Sequence, residues 1–229
     1  MMKTILRCML VGMVVAACGF ATPACVSLAT NWAAYEAAGE CTYGDFTFSN
    51  FFLNSAVILP ANVGVMPITD GSGNYGLQIN PGEAQLGVGS TDVLVSFTVT
   101  APSAIITSLH LDFNGASTTA YGFAEVLETY CFNAGTTANC STGGGQLSVD
   151  ATLGSPGSPV SASFAGVTEI SVSKDMLTQV IAGGSGLQLA SISQVDNTFD
   201  QSGVPEPATF GLIGFGLVAV AWTRRFLVR

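Results

Sequence analysis

Between Cys25 and Val204 the sequence offers one histidine, one lysine and fourteen acids for proton chemistry. His110 stands two residues from Asp112 in a strand-like run, so both fall on one face, where a carboxylate can orient an imidazole as a general base. The same spacing suits an edge or surface histidine beside an acid, and that is the reading adopted. Lys174 lies next to Ser171 and Ser173. A Ser/Lys dyad would need the amine desolvated, and a solvated turn lysine is the simpler expectation. Glu125 and Glu128 could serve as a glycosidase pair only if both faced one bond, yet residues three apart on a strand face opposite sides. Asp70, Ser72 and Asn74 alternate as calcium-loop ligands do, but the loop glycine and terminal Glu are missing, leaving a glycine-rich turn. No Gly-x-Ser-x-Gly elbow, His-Glu-x-x-His helix or Walker loop occurs. The expectation is a domain without catalytic residues, cofactor or metal, with a secreted hydrolase as the rival that clustered acids or a pocketed His110 would favour.

The charge balance narrows the partners. The 229 residues are 48% hydrophobic and only 9% charged, enough for one domain with a real core and too apolar for a disordered middle. Five of the six bases lie at the two ends, so the stretch between Cys25 and Val204 sets Lys174 alone against fourteen acids, a formal −13. Such a surface repels nucleic acid and anionic headgroups. Cys25, Cys41, Cys131 and Cys140 remain outside the N-terminal apolar run. Four cysteines in an exported domain make two disulfides, for which sequence allows three pairings. Local pairing, Cys25 with Cys41 and Cys131 with Cys140, is favoured. A four-cysteine zinc site would lack any Cys-x-x-Cys pair.

The elements that carry these residues alternate with period two. Val93, Val95, Phe97 and Val99 mark one face of a strand over 92–100, and Leu109, Leu111 and Phe113 one face of a strand over 106–113, with Ile106, His110 and Asp112 opposite. Further strand-like runs cover 45–52, 75–79, 121–132, 146–151, 167–173 and 187–195, punctuated by Gly, Asn, Ser and Pro clusters. The pattern predicts a mostly β fold, an antiparallel β-sandwich of jelly-roll-like kind. One short N-terminal helix is expected from Leu28, Trp32 and Tyr35, capped by Ser27 or Thr30 and stopped at Gly39. Residues 174–181 suit either a second short helix or a continued strand. For the rival role of carbohydrate-binding module, exposed aromatics on one sheet face would be diagnostic, and Tyr43, Tyr75 and Tyr121 are the candidates.

Both ends read as addresses. Lys3 and Arg7, an apolar run from Cys8 to Phe20, and then Ala21 to Ala24 follow the order of a secretory signal peptide, predicted to span 1–24, with cleavage after Ala29 as an alternative. Val15-Ala16-Ala17-Cys18 would instead fit a lipobox, and a buried N-terminal helix is the bland alternative. At the other end Val204-Pro205-Glu206-Pro207 precedes an apolar stretch, 208–222, then Arg224 and Arg225 in a basic tail, 223–229. Two prolines make the first part a stiff extended strip. The 15 apolar residues reach ~22 Å as a helix, somewhat short of a ~30 Å hydrocarbon core. Trp222 suits the interface, and Arg224 and Arg225 a cytoplasmic stop. A soluble core helix with a basic tail is the alternative.

In this order the three parts resemble the PEP-CTERM sorting signal of bacterial exosortase substrates. The stretch Cys25…Cys41-Thr42-Tyr43-Gly44-Asp45-Phe46-Thr47-Phe48-Ser49-Asn50-Phe51 is similar, more loosely, to the openings of such ectodomains. The resemblance implies a chain exported through the inner membrane and held at its C-terminus. An exosortase-type enzyme would process it at the Pro-Glu-Pro strip and deliver it to the cell surface or extracellular matrix, with extracellular polysaccharide as a further partner. The division expected is 1–24 signal peptide, 25–200 exported domain and 201–229 linker and sorting signal.

Overall fold

The structure, a computed structural model, describes residues 22–133, 140, 143–153, 157–183 and 186–203. The apolar runs expected as signal peptide and membrane helix, and the sorting-motif residues Val204, Pro205, Glu206, Pro207, Trp222, Arg224 and Arg225, lie outside them. Among the described residues no helix is long and apolar enough to cross a membrane.

Twelve strands run along the described chain: β1 (Glu40–Tyr43), β2 (Phe46–Asn54), β3 (Gly64–Thr69), β4 (Tyr75–Asn80), β5 (Glu83–Leu86), β6 (Gly89–Thr100), β7 (Ala104–Ser117), β8 (Gly122–Phe132), β9 (Gly144–Ala151), β10 (Val160–Val167), β11 (Glu169–Val180) and β12 (Leu189–Gly203). Every paired strand runs antiparallel to its neighbour, in two sheets. One sheet has the order β1-β2-β6-β11-β8-β9; the other has β10-β7-β12-β4-β3, with β5 continuing beside β12. This is the expected two-sheet sandwich.

Alternation puts Val93, Val95, Phe97 and Val99 fully into the core, as predicted. Four strands were not legible. β1 and β5 are four residues each, β10 is a Ser/Ala/Gly-rich edge, and β3 carries Pro67 on an edge where the missing donor is tolerated. Residues 174–181 resolve as strand through Val180. Gln201, Ser202 and Gly203, read as linker, pair with Ile106, Ile105 and Ala104 and so complete β12.

Three bulges change the phase of the apolar pattern, and the one in β12, between Ile192 and Gln194, moves the inward set from Ala190 and Ile192 to Val195 and Phe199. In β2 the register shifts between Ser49 and Phe52, with Asn50 at φ 54°, so Phe46 and Phe48 point inward and Phe51 follows them out of step. In β7 the pairing skips Thr107 on both sides, which brings Ile106 to the core face although His110 and Asp112 stay outside. Strict alternation had placed Ile106 with His110.

The helix α1 (Trp32–Ala38) is present, stopped at Gly39 (φ 75°) as expected. Its cap is Asn31, whose Oδ1 accepts from Ala34 N at 3.0 Å, rather than Ser27 or Thr30. Trp32 and Tyr35 pack edge-on against Phe51 at 5.7 and 5.3 Å, seating the helix on β2. Glu36 Oε1 accepts from Leu53 N at 2.9 Å beside the bulge. Tyr35 Oη donates to Cys25 O, and burial pushes its hydroxyl to about 12. Disulfides Cys25–Cys41 and Cys131–Cys140 are formed, with Cα separations of 4.9 and 5.0 Å. The first ties the segment before α1 to β1, and the second joins Cys131 of β8 to Cys140.

Candidate functional site

The outer face of the β10-β7-β12-β4 sheet brings together three of the residues that sequence singled out, His110, Asp112 and Asp70. His110 and Asp112 project from β7, opposite Thr198 and Asp196 of β12. Asp70 reaches in from the turn before β4. With Ile68, Thr69 and Pro159 these residues line a hollow of about 380 Å³.

His110 does not pair with Asp112. Its Nε2 lies 2.9 Å from Asp200 Oδ1 and 3.2 Å from Ser108 Oγ, while Ser108 Oγ donates to Asp200 Oδ2 at 2.5 Å. Ser108 and His110, two residues apart beyond the bulge at Thr107, share the outer face, and Asp200 pairs directly with Ser108. Serine, histidine and aspartate are thus together, but wired differently from a nucleophile–base–orienter relay. An Nε2–H that donates to Asp200 has no lone pair for Ser108, and the serine proton already goes to the same carboxylate. The arrangement clamps two strands. Asp112 Oδ1 instead accepts from its neighbour Phe113 N at 2.8 Å.

Asp70 is an Asx turn. Its Oδ1 accepts from Ser72 N and Asn74 N, and its Oδ2 from Asn74 Nδ2 and Thr198 Oγ1, at 2.8 to 3.0 Å. Burial pushes this carboxyl up, but the hydrogen bonds outweigh it and hold it below the usual range. Ser72 and Asn74 therefore serve the turn, and no metal-holding group of His, Cys, Asp or Glu occurs among the described residues. Asp196 goes the other way: burial raises it, Asp112 directly across the strand pair adds to the rise, and hydrogen bonds from Gln194 and Gln78 oppose it.

Lys174 is the main correction. It is 0% exposed, on the inner face of β11, directly opposite Glu128 of β8, with which it forms a buried ion pair. Asn197 Nδ2, from the facing sheet, lies 3.0 Å from His110 O and 3.4 Å from Glu128 Oε1. Burial drives the Lys174 amine well below its ordinary value, with the field of Asp196 opposing. The expected solvated turn lysine is a core residue because β11 runs on through 174. Its neighbours Ser171 and Ser173 fall on the other face, so no Ser/Lys pair forms. Glu125 and Glu128 do face opposite sides: Glu128 is buried and Glu125 accepts from Ser148 Oγ at 2.8 Å on the outside.

The three tyrosines do not make one platform. Tyr43 and Tyr75 pack edge to face at 5.3 Å, half-buried between β1 and β4, and Tyr43 Oη is 2.9 Å from Thr69 Oγ1. Tyr121 sits at the other end of the sandwich, beside Ile181. Sequence reasoning missed Asp200, Asp196 and Glu83, which no local spacing could mark.

Fold and site together define a mostly β, disulfide-tied, acidic sandwich with one short helix and a polar hollow on one sheet face. Residues 203–225 match the PEP-CTERM protein-sorting motif, a stretch that begins at the last residue of β12 and contains the Pro205-Glu206-Pro207 strip and the Arg224-Arg225 pair. The chain therefore carries that sorting signal at its C-terminal end. No curated protein matches the chain. Among solved structures it is similar to TmCBM61 in complex with beta-1,4-galactotriose, at 10% identity over 66% of this chain and 90% of that one, TM-score 0.33. It is also similar to a carbohydrate-binding module from the beta-sandwich super family, at 8% identity over 80% and 63%, TM-score 0.27. A third is the enzymatically active domain of tailspike protein 4 from bacteriophage CBA120, at 10% identity and TM-score 0.25, where 69% of this chain covers 20% of that one. At these scores no ligand or activity follows for this chain.

Proposed function

We propose that the chain is an exported, non-enzymatic surface or extracellular-matrix protein, delivered through the inner membrane and processed at its C-terminus by an exosortase-type enzyme. The observation that supports this best is the sorting-motif match at 203–225, which starts at Gly203, the last residue of β12. In this reading 1–24 is removed, 208–222 anchors the chain in the membrane until processing, and the eight strands β4 and β6–β12 cross in a jelly-roll-like order. Glu206 is the one charge between β12 and Trp222, and a carboxylate held by two prolines suits recognition by a donor-lined processing site. Replacing Glu206 by Ala leaves synthesis and insertion intact and blocks removal of the tail, seen on immunoblots of cell and medium fractions as loss of a shift of roughly 2–3 kDa. Trimming and release as efficient as in the parent would refute the assignment.

The hollow on the outer sheet supports a second reading, polysaccharide binding. Asp112, Asp196, His110 and Thr198 present acceptors and hydroxyls to a cavity of about 380 Å³, as polyol recognition requires. The acidic surface selects neutral or amino-bearing glycans over anionic ones.

A further inference from the structure

The end of the sandwich where β12 begins carries an uncharged apolar tip. β12 runs from Leu189 at this tip to Gly203, so its 15 residues span ~50 Å to the opposite end. Three connections meet at the tip. Leu86 and Val88 flank the turn between β5 and β6, Tyr121 precedes β8, and Ile181 and Leu187 lie between β11 and β12. Leu86, Val88, Ile181 and Leu187 are each more than half exposed, Leu187 at 78%. The backbone that carries them is tied together. Gly87 N donates to Gln188 O at 3.0 Å and Ile181 N to Tyr121 O at 2.9 Å. Leu86 pairs with Leu189, and Gly89, Val180 and Gly122 form the last rung of the other sheet.

Charge decides what covers this surface. Residues 84–91, 117–122 and 181–190 contain no Asp, Glu, Lys or Arg. Elsewhere the domain is acidic, and its one lysine is buried in the core. Two copies approaching by their sides therefore oppose carboxylate to carboxylate with no exposed Lys or Arg among the described residues to answer them. Approaching tip to tip, they bring apolar side chains together with no opposing charge. A lipid surface fits less well, because interfacial binders add Lys or Arg and large aromatics to their apolar face, and these segments contain Tyr121 alone.

We propose that a second copy of this chain occupies the tip, in a weak two-fold contact centred on Leu86, Val88, Ile181 and Leu187. A two-fold axis makes one patch self-complementary, and a contact this small needs the high local density of a surface or matrix to be populated. The two acidic bodies still repel at long range, so salt strengthens the association, opposite to the behaviour of a salt-bridged interface.

The test is sedimentation equilibrium of the full chain in detergent micelles at ~0.05 and ~0.5 M salt, with Val88→Ser/Leu187→Ser as the comparison. Both positions are exposed, so the variant folds as the parent does, checked by its unfolding midpoint. The expected result is a monomer–dimer equilibrium tightened several-fold by salt and weakened about tenfold or more in the variant. A parent that stays monomeric, a variant that associates equally, or tip-dependent binding to phosphatidylcholine vesicles without self-association would each overturn the proposal.

Discussion

Replacing Glu83 by Gln removes part of the pH dependence of stability. Glu83 sits on β5 and is 1% exposed, and its Oε1 accepts from Thr178 N and Oγ1 on the facing sheet at 3.2 and 3.3 Å. Its Oε2 has no hydrogen-bond partner. Burial pushes this carboxyl from 4.5 to about 8, the fields of Asp92 and Asp175 add to it, and the Thr178 bonds oppose it. Between pH 4.5 and 8 the folded chain thus holds a proton that the unfolded chain has released. Stability then falls as pH rises through that window. The rise from 4.5 to about 8 is worth at most ~5 kcal/mol, and native-state relaxation with water entry brings this to about 2–4 kcal/mol. A glutamine keeps the Thr178 acceptor, matches the protonated acid in shape and does not titrate. At pH 5 the two proteins differ by less than about 1 kcal/mol. At pH 9 the variant is the more stable by about 2–4 kcal/mol. Urea unfolding at pH 5, 7 and 9, with disulfides intact, measures the difference directly and cancels contributions from other acids. A parent–variant gap that stays constant across this range would refute the burial argument.

Lys174→Met leaves Glu128 charged and unpaired in the core and destabilises by about 3–5 kcal/mol, whereas Lys174→Met with Glu128→Leu recovers most of that loss in the same unfolding assay. Asp112→Asn removes a like charge directly opposite Asp196 and stabilises by about 0.2–1 kcal/mol at pH 7, a gain that disappears once Asp196, whose carboxyl burial raises, is protonated. In a glycan pull-down, the Asp112→Asn/Asp196→Asn protein loses binding to neutral polysaccharide if the hollow is the site, and unchanged retention removes that reading.

The sequence alone determined whatever depends on neighbours along the chain. A strand's faces alternate every residue, so Val93 to Val99 announced both strand and core side. Cysteines 16 and 9 residues apart joined within their own segments because short loops close at little entropic cost. The sorting motif is linear and was read as such. Tertiary structure decided whatever depends on partners from other strands. Asp200 meets His110 across 90 residues, Glu83 meets Thr178 across 95 and Glu128 meets Lys174 across 46. Nothing in local spacing selects one strand neighbour over another. The bulges at Asn50 and Thr107 then broke the alternation that sequence relies on, turning Phe51 and Ile106 inward. Lys174 shows the limit most clearly, since its charge predicts solvent and only the opposite carboxylate, supplied by the sheet order, allows it to be buried.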